Sequence, residues 1–394
     1  MPLTPSVGQP FDVLVLGAGA AGLMCAIEAG KRGRRVALLD HADRIGKKIL
    51  ISGGGRCNFT NLHCSAENFL SANPHFAKSA LARYTPADFI SLIDRHGIAY
   101  HEKTLGQLFC DRSAQQIVAM LEAECHAAGV QIFLNASIKE VGHSIGFEVM
   151  TQDTSFHVAA LVVATGGLSI PKMGATGFGY ALARQFGVAV RECRPALVSL
   201  LFNGEDLTRY ADLAGVSTEV ETRFENHHFR EKMLFTHRGL SGPAILQISL
   251  YWRPGQTIGI DLAPGQQWTA PLRPPGVPRN AATAKTALRE ILPLRLAERW
   301  LALHPPQGWT NRSLALSEAE LHDWKMVSAG TEGYAKAEVT AGGVDTDELS
   351  AKTMECRKVR GLFFIGEAVD VTGQLGGFNF QWAWASGFCA GQAV

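Results

Sequence analysis

What this sequence lacks narrows it first. Its 394 residues carry a formal net charge of only +1, so electrostatics recommends neither a nucleic acid nor an anionic membrane as a partner. The eight cysteines, at 25, 57, 64, 110, 125, 193, 356 and 389, contain no C-x-x-C pair. That spacing speaks against zinc and iron–sulfur sites, so no metal is expected, and it suits free thiols in a reducing cytoplasm. No lysine or arginine precedes Lys31, so the apolar run 13–30 lacks the charged start of a signal peptide. Four glycines and Glu28 within that run also argue against a membrane span, which needs ~20 apolar residues. There is no internal repeat and no low-complexity tract.

What is present is apolar and rich in glycine. Hydrophobic residues make up 46% of the chain, enough to bury sizeable interiors, and the length suggests two or three domains. The 41 glycines exceed the usual ~7% and cluster, which marks special turns. "FDVLVLGAGAAG" predicts a strand, a glycine turn and a helix start; "RRVALLD" (34–40) predicts the next strand, completing a βαβ unit. Helical spacing follows at 85–98 and 113–129, then strands at "VQIFLNASIKEV", "FEVMTQ" and 156–167. From about 195 the pattern becomes that of antiparallel strands. Eight of the seventeen prolines fall between 264 and 306, a linker or domain edge, and Pro293 should break the helical run 280–303.

The expected fold is α/β: a discontinuous Rossmann-like FAD-binding domain (1–193 and 346–394) with an inserted, mainly β module. That insertion, 194–345, would carry a small helical lid at about 278–330.

Gly17, Gly19 and Gly22 form G-x-G-x-x-G directly after a strand and opening a helix. The first allows a tight turn, the second lets a pyrophosphate approach and the third lets helix and strand pack closely. The helix start offers unpaired N–H groups and a partial positive charge. Asp40 ends the second strand, placed for a ribose hydroxyl. Two further glycine turns, "ATGG" (164–167) and "IGEAVDVTGQLGGFN" (365–379), imply a long ligand contacted along its length, which favours FAD over NAD. A fourth stretch, "ISGGGRCNFTN" (51–61), raises the question of whether Cys57 is a nucleophile.

The segments "LGAGAAG", "GKKILISGGGRCNFTN", "VVATGG", "FTHRGLSGPAILQIS", "TAGGV" and "IGEAVDVTGQLGGFNFQWAWASG" span nearly the whole chain. On them the chain resembles the two-dinucleotide-binding-motif flavoproteins and, within these, the YhiN-type bacterial family of NAD(P)/FAD-dependent, aminoacetone-oxidase-like oxidoreductases. The resemblance implies that Gly17, Ala18, Gly19, Ala20, Ala21 and Gly22 hold the pyrophosphate, with Asp40 and His41 on the adenosine side. Lys48, Ser52, Gly53, Gly54, Arg56, Cys57 and Asn58 would line the pyrophosphate and flavin side. Thr165 and Gly166 would cover the adenine-side turn, and Gly366 and Glu367 the ribityl chain. Gly377, Phe378 and Asn379 would face the pyrimidine end of the flavin, where a helix start favours negative charge. His237 and Arg238 are candidates for substrate contact, against the alternative of a tight turn held by local hydrogen bonds.

Other constellations are weaker. Cys57 has no partner nearer than Cys64, so a structural place beside the flavin is preferred to a redox dithiol. His227, His228 and His237 with Glu225 and Glu231 match no standard metal spacing. Trp382, Trp384 and Phe388 read as packing residues. "GATGFG" (174–179) misses the dinucleotide pattern, so no second nucleotide domain is expected. The resulting expectation is a cytoplasmic FAD-dependent oxidoreductase. It would pass a hydride between flavin and a small organic molecule (an amine or an enone), with transient NAD(P)H or O2 as second partner. No catalytic acid or base is assigned. Two alternatives stand: flavin-dependent modification of a nucleic acid such as tRNA, which calls for a basic face, and a non-catalytic flavin-binding redox sensor.

Overall fold

The structure, a computed structural model, describes residues 11–394. It divides into two compact units, Met1–Arg194 with Val339–Val394, and Pro195–Glu338. Among the described residues no helix is long and apolar enough to cross a membrane.

The first unit is built on a five-stranded parallel sheet. Its strands run in the order Leu362–Phe364, Ala160–Val163, Val13–Leu16, Val36–Leu39, Gln131–Phe133. Val13 lies opposite both Val36 and Ala160. All four residues of Val13–Leu16 are buried, which is why the strand reads as unbroken aliphatic sequence rather than alternation. The first helix, Ala20–Lys31, follows the glycine turn directly. The last helix, Phe378–Gly391, is apolar nearly all round and buries most of its length, as a helix enclosed on several sides must. It meets the first helix through small residues: a Cβ on Gly387 would lie 2.4 Å from the Ala21 carbonyl oxygen. Its tryptophans are packing residues with satisfied N–H groups. Trp382 donates to the Gly366 carbonyl at 2.9 Å and Trp384 to that of Phe59 at 2.8 Å.

Two apolar runs that look continuous in sequence are divided between sheets. Residues 156–167 supply the end of Ser155–Val158, an antiparallel strand, and then Ala160–Val163 of the parallel sheet. The run beginning at Val130 breaks at Asn135, whose φ is +55°, between Gln131–Phe133 and Ile138–His143. Period alone does not reveal which sheet a short strand joins.

The second unit holds a seven-stranded antiparallel sheet, in the order Trp324–Val327, Thr257–Asp261, Ser217–Phe224, His227–Phe235, Gly239–Ser241, Leu200–Leu201, Gly330–Thr331. Pro293 interrupts the helical run as its fixed φ and missing N–H require, giving Ala281–Arg289 and Leu294–Leu303. A third helix, Asn311–Leu321, is capped by Thr310, whose hydroxyl accepts from the Ser313 N–H. Trp268, Trp300 and Trp324 join the core of this unit.

Candidate functional site

The glycine turns of the first unit converge. Gly17, with φ +109°, donates its N–H to the Leu39 carbonyl at 2.7 Å. A Cβ placed on it would sit 2.4 Å from the carbonyl oxygen of Ala164, so the first turn and "ATGG" touch backbone to backbone. Gly22 is tighter still, since a Cβ there would be 1.9 Å from the Gly17 oxygen. On Gly366 it would meet the Ala21 methyl at 2.8 Å, which brings "IGEA" to the same helix start. By contrast, a Cβ on Gly19, Gly54 or Gly166 would meet nothing within 4 Å. Those three backbones face open space, as a long ligand approaching the main chain requires.

The donor set suits an anionic dinucleotide. The first helix has no side-chain cap and no acid in its first turn, so its initial N–H groups and partial positive charge are available to phosphate. The last helix is likewise uncapped, and no acid stands in its first turn. Asp40 divides its carboxylate between the Ala18 N–H (2.7 Å) and the Ala42 N–H (2.8 Å), holding the turn while further lone pairs stay free. His41 is exposed beside it, its Nδ1 3.5 Å from Asp40. The Thr165 hydroxyl is buried without a hydrogen-bond partner, an arrangement that calls for a polar ligand or neighbour.

Glu367 ties the pieces together. Its Oε1 accepts from the Thr340 N–H at 2.8 Å and its Oε2 pairs with the Lys48 ammonium at 2.7 Å. The Thr340 hydroxyl accepts from the Leu168 N–H at 2.8 Å and lies 3.0 Å from the Ser169 hydroxyl. Thr340 and Ser169 were not singled out from the sequence. "TAGGV" was among the resembling segments, yet a lone threonine in a strand gives no chemical signal. Asp370, three residues beyond Glu367, accepts from the Ala72 N–H at 3.0 Å, and burial raises its pKa above the usual carboxylate range.

Within 51–61 a left-handed turn at Gly53–Gly55 leads into the strand Asn58–Asn61. Gly53 and Gly54 have φ/ψ of 56°/32° and 66°/33°, and Gly55 has φ +84°, a succession that side chains make costly and glycine does not. The Ser52 hydroxyl donates to the Ile49 carbonyl at 2.7 Å. Arg56 is exposed, whereas the Cys57 thiol turns inward and is fully buried. Burial pushes that thiol's pKa strongly upward, so it is held protonated and unreactive. Only the backbone of Cys57 remains for a ligand, a narrower role than the lining side chain expected. Asn58 lies 3.2 Å from the Gln107 amide. Gly377, with φ +95°, packs on this strand, where a Cβ would be 2.4 Å from the Thr60 oxygen. Phe378 is buried. The Asn379 amide is engaged with the Gly373 backbone, accepting at 2.9 Å and donating at 2.8 Å, so it shapes the turn.

His237 and Arg238 belong to the other unit. They are exposed in the turn after His227–Phe235, where the Thr236 hydroxyl accepts from the N–H groups of Arg238 and Gly239 at 3.2 and 3.0 Å. Arg238 pairs with Glu332 at 3.3 Å. The turn is thus held by local hydrogen bonds. His227 is stacked on Tyr251, with centroids 3.5 Å apart.

The parallel sheet, the glycine turns at its strand ends and the two uncapped helix starts define a Rossmann-type dinucleotide-binding unit, and its cofactor is FAD. The profile of the HI0933-like protein Rossmann domain matches residues 11–393, and the chain belongs to that family. It is 49% identical over 391 residues to the ribosomal RNA dihydrouridine synthase of Escherichia coli, covering 98% of both chains. It is 45% identical to the Haemophilus influenzae protein of the same name, covering 98% of this chain and 99% of that one. A 3-dehydro-bile acid delta(4,6)-reductase of Clostridium scindens is 30% identical, over 96% of this chain and 98% of its own.

These relatives overturn the expectation of a small-molecule substrate with no nucleic-acid partner, because the two more similar ones are named for a reaction on ribosomal RNA. The inference from a net charge of +1 failed because net charge is a sum. Contact with phosphates depends on where the cations stand.

Proposed function

We propose that this chain is an FAD-dependent enzyme that reduces uridine in ribosomal RNA to dihydrouridine. The single observation carrying this reading is the 49% identity, across 98% of both chains, to a ribosomal RNA dihydrouridine synthase. The chemistry of the more distant relative supports it. A delta(4,6) 3-oxo steroid and a uracil ring both present a C=C bond conjugated to a carbonyl. In an α,β-unsaturated carbonyl such as uracil, conjugate reduction adds a hydride to the carbon β to the carbonyl and a proton to the α carbon. For uracil these are C6 and C5.

FAD, when bound, supplies that hydride and is recharged by an external two-electron reductant. The chain's part is binding and orientation. In this proposal the N–H groups at Gly19–Ala21 take the pyrophosphate and Asp40 a ribose hydroxyl. The Lys48–Glu367 pair flanks the ribityl chain. The uncapped start at Gly377–Phe378 favours negative charge at the pyrimidine edge of the flavin.

The test is reconstitution. Purified protein is checked for released FAD, reduced with dithionite and mixed with protein-free ribosomal RNA. Nucleosides are then analysed by mass spectrometry. The expected result is dihydrouridine at one defined position. An FAD-loaded, fully reduced protein that leaves every uridine unchanged would sink the proposal.

A further inference from the structure

The turn at Thr104–Gly106, between the strands Tyr100–Glu102 and Gln107–Cys110, presents a leucine in a conformation leucine disfavours. Leu105 has φ +52° and is 64% exposed. Beside it Leu62 is 45% exposed. Burial does not hold Leu105 there; hydrogen bonds do. The Asn61 amide donates to the Leu105 carbonyl at 3.1 Å and to that of Gly376 at 2.9 Å. Glu102 accepts from the Gly106 N–H at 3.2 Å, and the Gly106 carbonyl accepts from Leu62 at 2.9 Å. The turn is thus an exposed projection tied through Asn61 to the glycine pair that opens the last helix. Lys103 is exposed at the turn, with its ammonium 5.4 Å from the Phe109 ring, and His63 is exposed on the facing segment. Glu102 is exposed as well, its carboxylate engaged with the Gly106 N–H.

An enzyme that reduces a base within folded RNA must first unstack it, and proteins that unstack bases frequently insert apolar side chains between them. We propose that Leu105, with Leu62 at its side, is such a wedge: it enters the RNA stack next to the target uridine while Lys103 and His63 contact flanking phosphates. Strain retained at an exposed leucine, where glycine would fit without it, is the observation that singles this turn out. The proposal rests on the ribosomal RNA reading above.

The test compares the FAD-loaded wild type with Leu105→Gly, which removes the strain at φ +52° and so folds, and with Leu105→Met, which keeps the bulk. Each is assayed on structured ribosomal RNA and on a short unstructured uridine oligonucleotide. Leu105→Gly should lose about tenfold or more in kcat/KM on the structured RNA and little on the oligonucleotide. Leu105→Met should stay near wild type on both. A 2-aminopurine placed next to the target uridine should brighten with the wild type and not with Leu105→Gly. An unchanged ratio between the two RNAs, or an equal loss on both, overturns the wedge. A wild type inactive on both RNAs overturns the ribosomal RNA reading instead, and the wedge with it.

Discussion

In the unit formed by Met1–Arg194 and Val339–Val394, the defining contacts are main chain against main chain, where Gly17, Gly22 and Gly366 let three turns meet at one helix start. Pro195–Glu338 also has main chain close to main chain, at Gly239 and Leu200, but its charged side chains are paired with one another. His322 lies between Asp261 (2.7 Å) and Glu318 (3.2 Å), and Asp261 also reaches Arg223 at 3.4 Å. The first arrangement presents bare backbone to a ligand. The second neutralises charge internally and presents little. Chemistry that needs N–H groups at close range calls for the first; a stable sheet–helix interface is served by the second.

The sharpest way to break the comparison is to add one methyl group to each unit. Gly22→Ala puts a Cβ 1.9 Å from the Gly17 oxygen, and Gly239→Ala puts one 2.0 Å from the Leu200 oxygen. Both should destabilise by about 3 kcal/mol. Only Gly22→Ala should also lower FAD retention, by about tenfold or more. Thermal melts and the ratio of flavin to protein absorbance check this; equal flavin loss in both variants would erase the distinction.

A smaller effect is expected at Lys48→Met, which leaves Glu367 without its cation. Because the Lys48 side chain is 40% exposed, solvent screening limits the loss of fold stability to about 1 kcal/mol or less. FAD binding, titrated by flavin fluorescence, should weaken several-fold.

The charge network of the second unit gives a pH signature. Burial opposes charge on His322, but the hydrogen bonds and charges of Asp261 and Glu318 outweigh it and raise its pKa. A raised pKa means that the stabilisation is fully present below the unfolded value of about 6.5 and disappears as pH rises through the folded value. The difference in Tm between wild type and His322→Gln should therefore be largest near pH 6 and shrink toward pH 9. A difference that grows with pH would reverse the assignment.

The smallest chemical effect is expected at Cys57. Cys57→Ala should cost about 1–2 kcal/mol of stability through the lost packing of a buried sulfur. Native Cys57 should resist thiol reagents, and reduction of the flavin should be unaffected. Loss of flavin reduction in a folded Cys57→Ala protein would restore the nucleophile.

Much of the site was legible where chemistry leaves a local mark. Strand, G-x-G-x-x-G, helix and Asp40 appear in order because each is dictated by neighbours a few residues away. Pro293 broke its helix for an equally local reason. Cys57 was legible only as a question, since whether a thiol reacts depends on its burial, which no spacing records. Thr340 and Ser169 were missed because their role arises from Glu367, distant in sequence. The absence of a nucleic-acid partner was inferred from a whole-chain sum that cannot see local cations.

By itself the sequence determined the βαβ start, the glycine turns and the FAD class, because backbone conformation and close approach are coded by which residues lack a side chain. Tertiary structure decided that the Gly17, Ala164 and Gly366 turns meet at one helix. It also decided that the Cys57 thiol turns inward, and that an exposed Leu105 is held beside Gly376. Those outcomes depend on contacts between residues tens to hundreds of positions apart, and no local pattern encodes them.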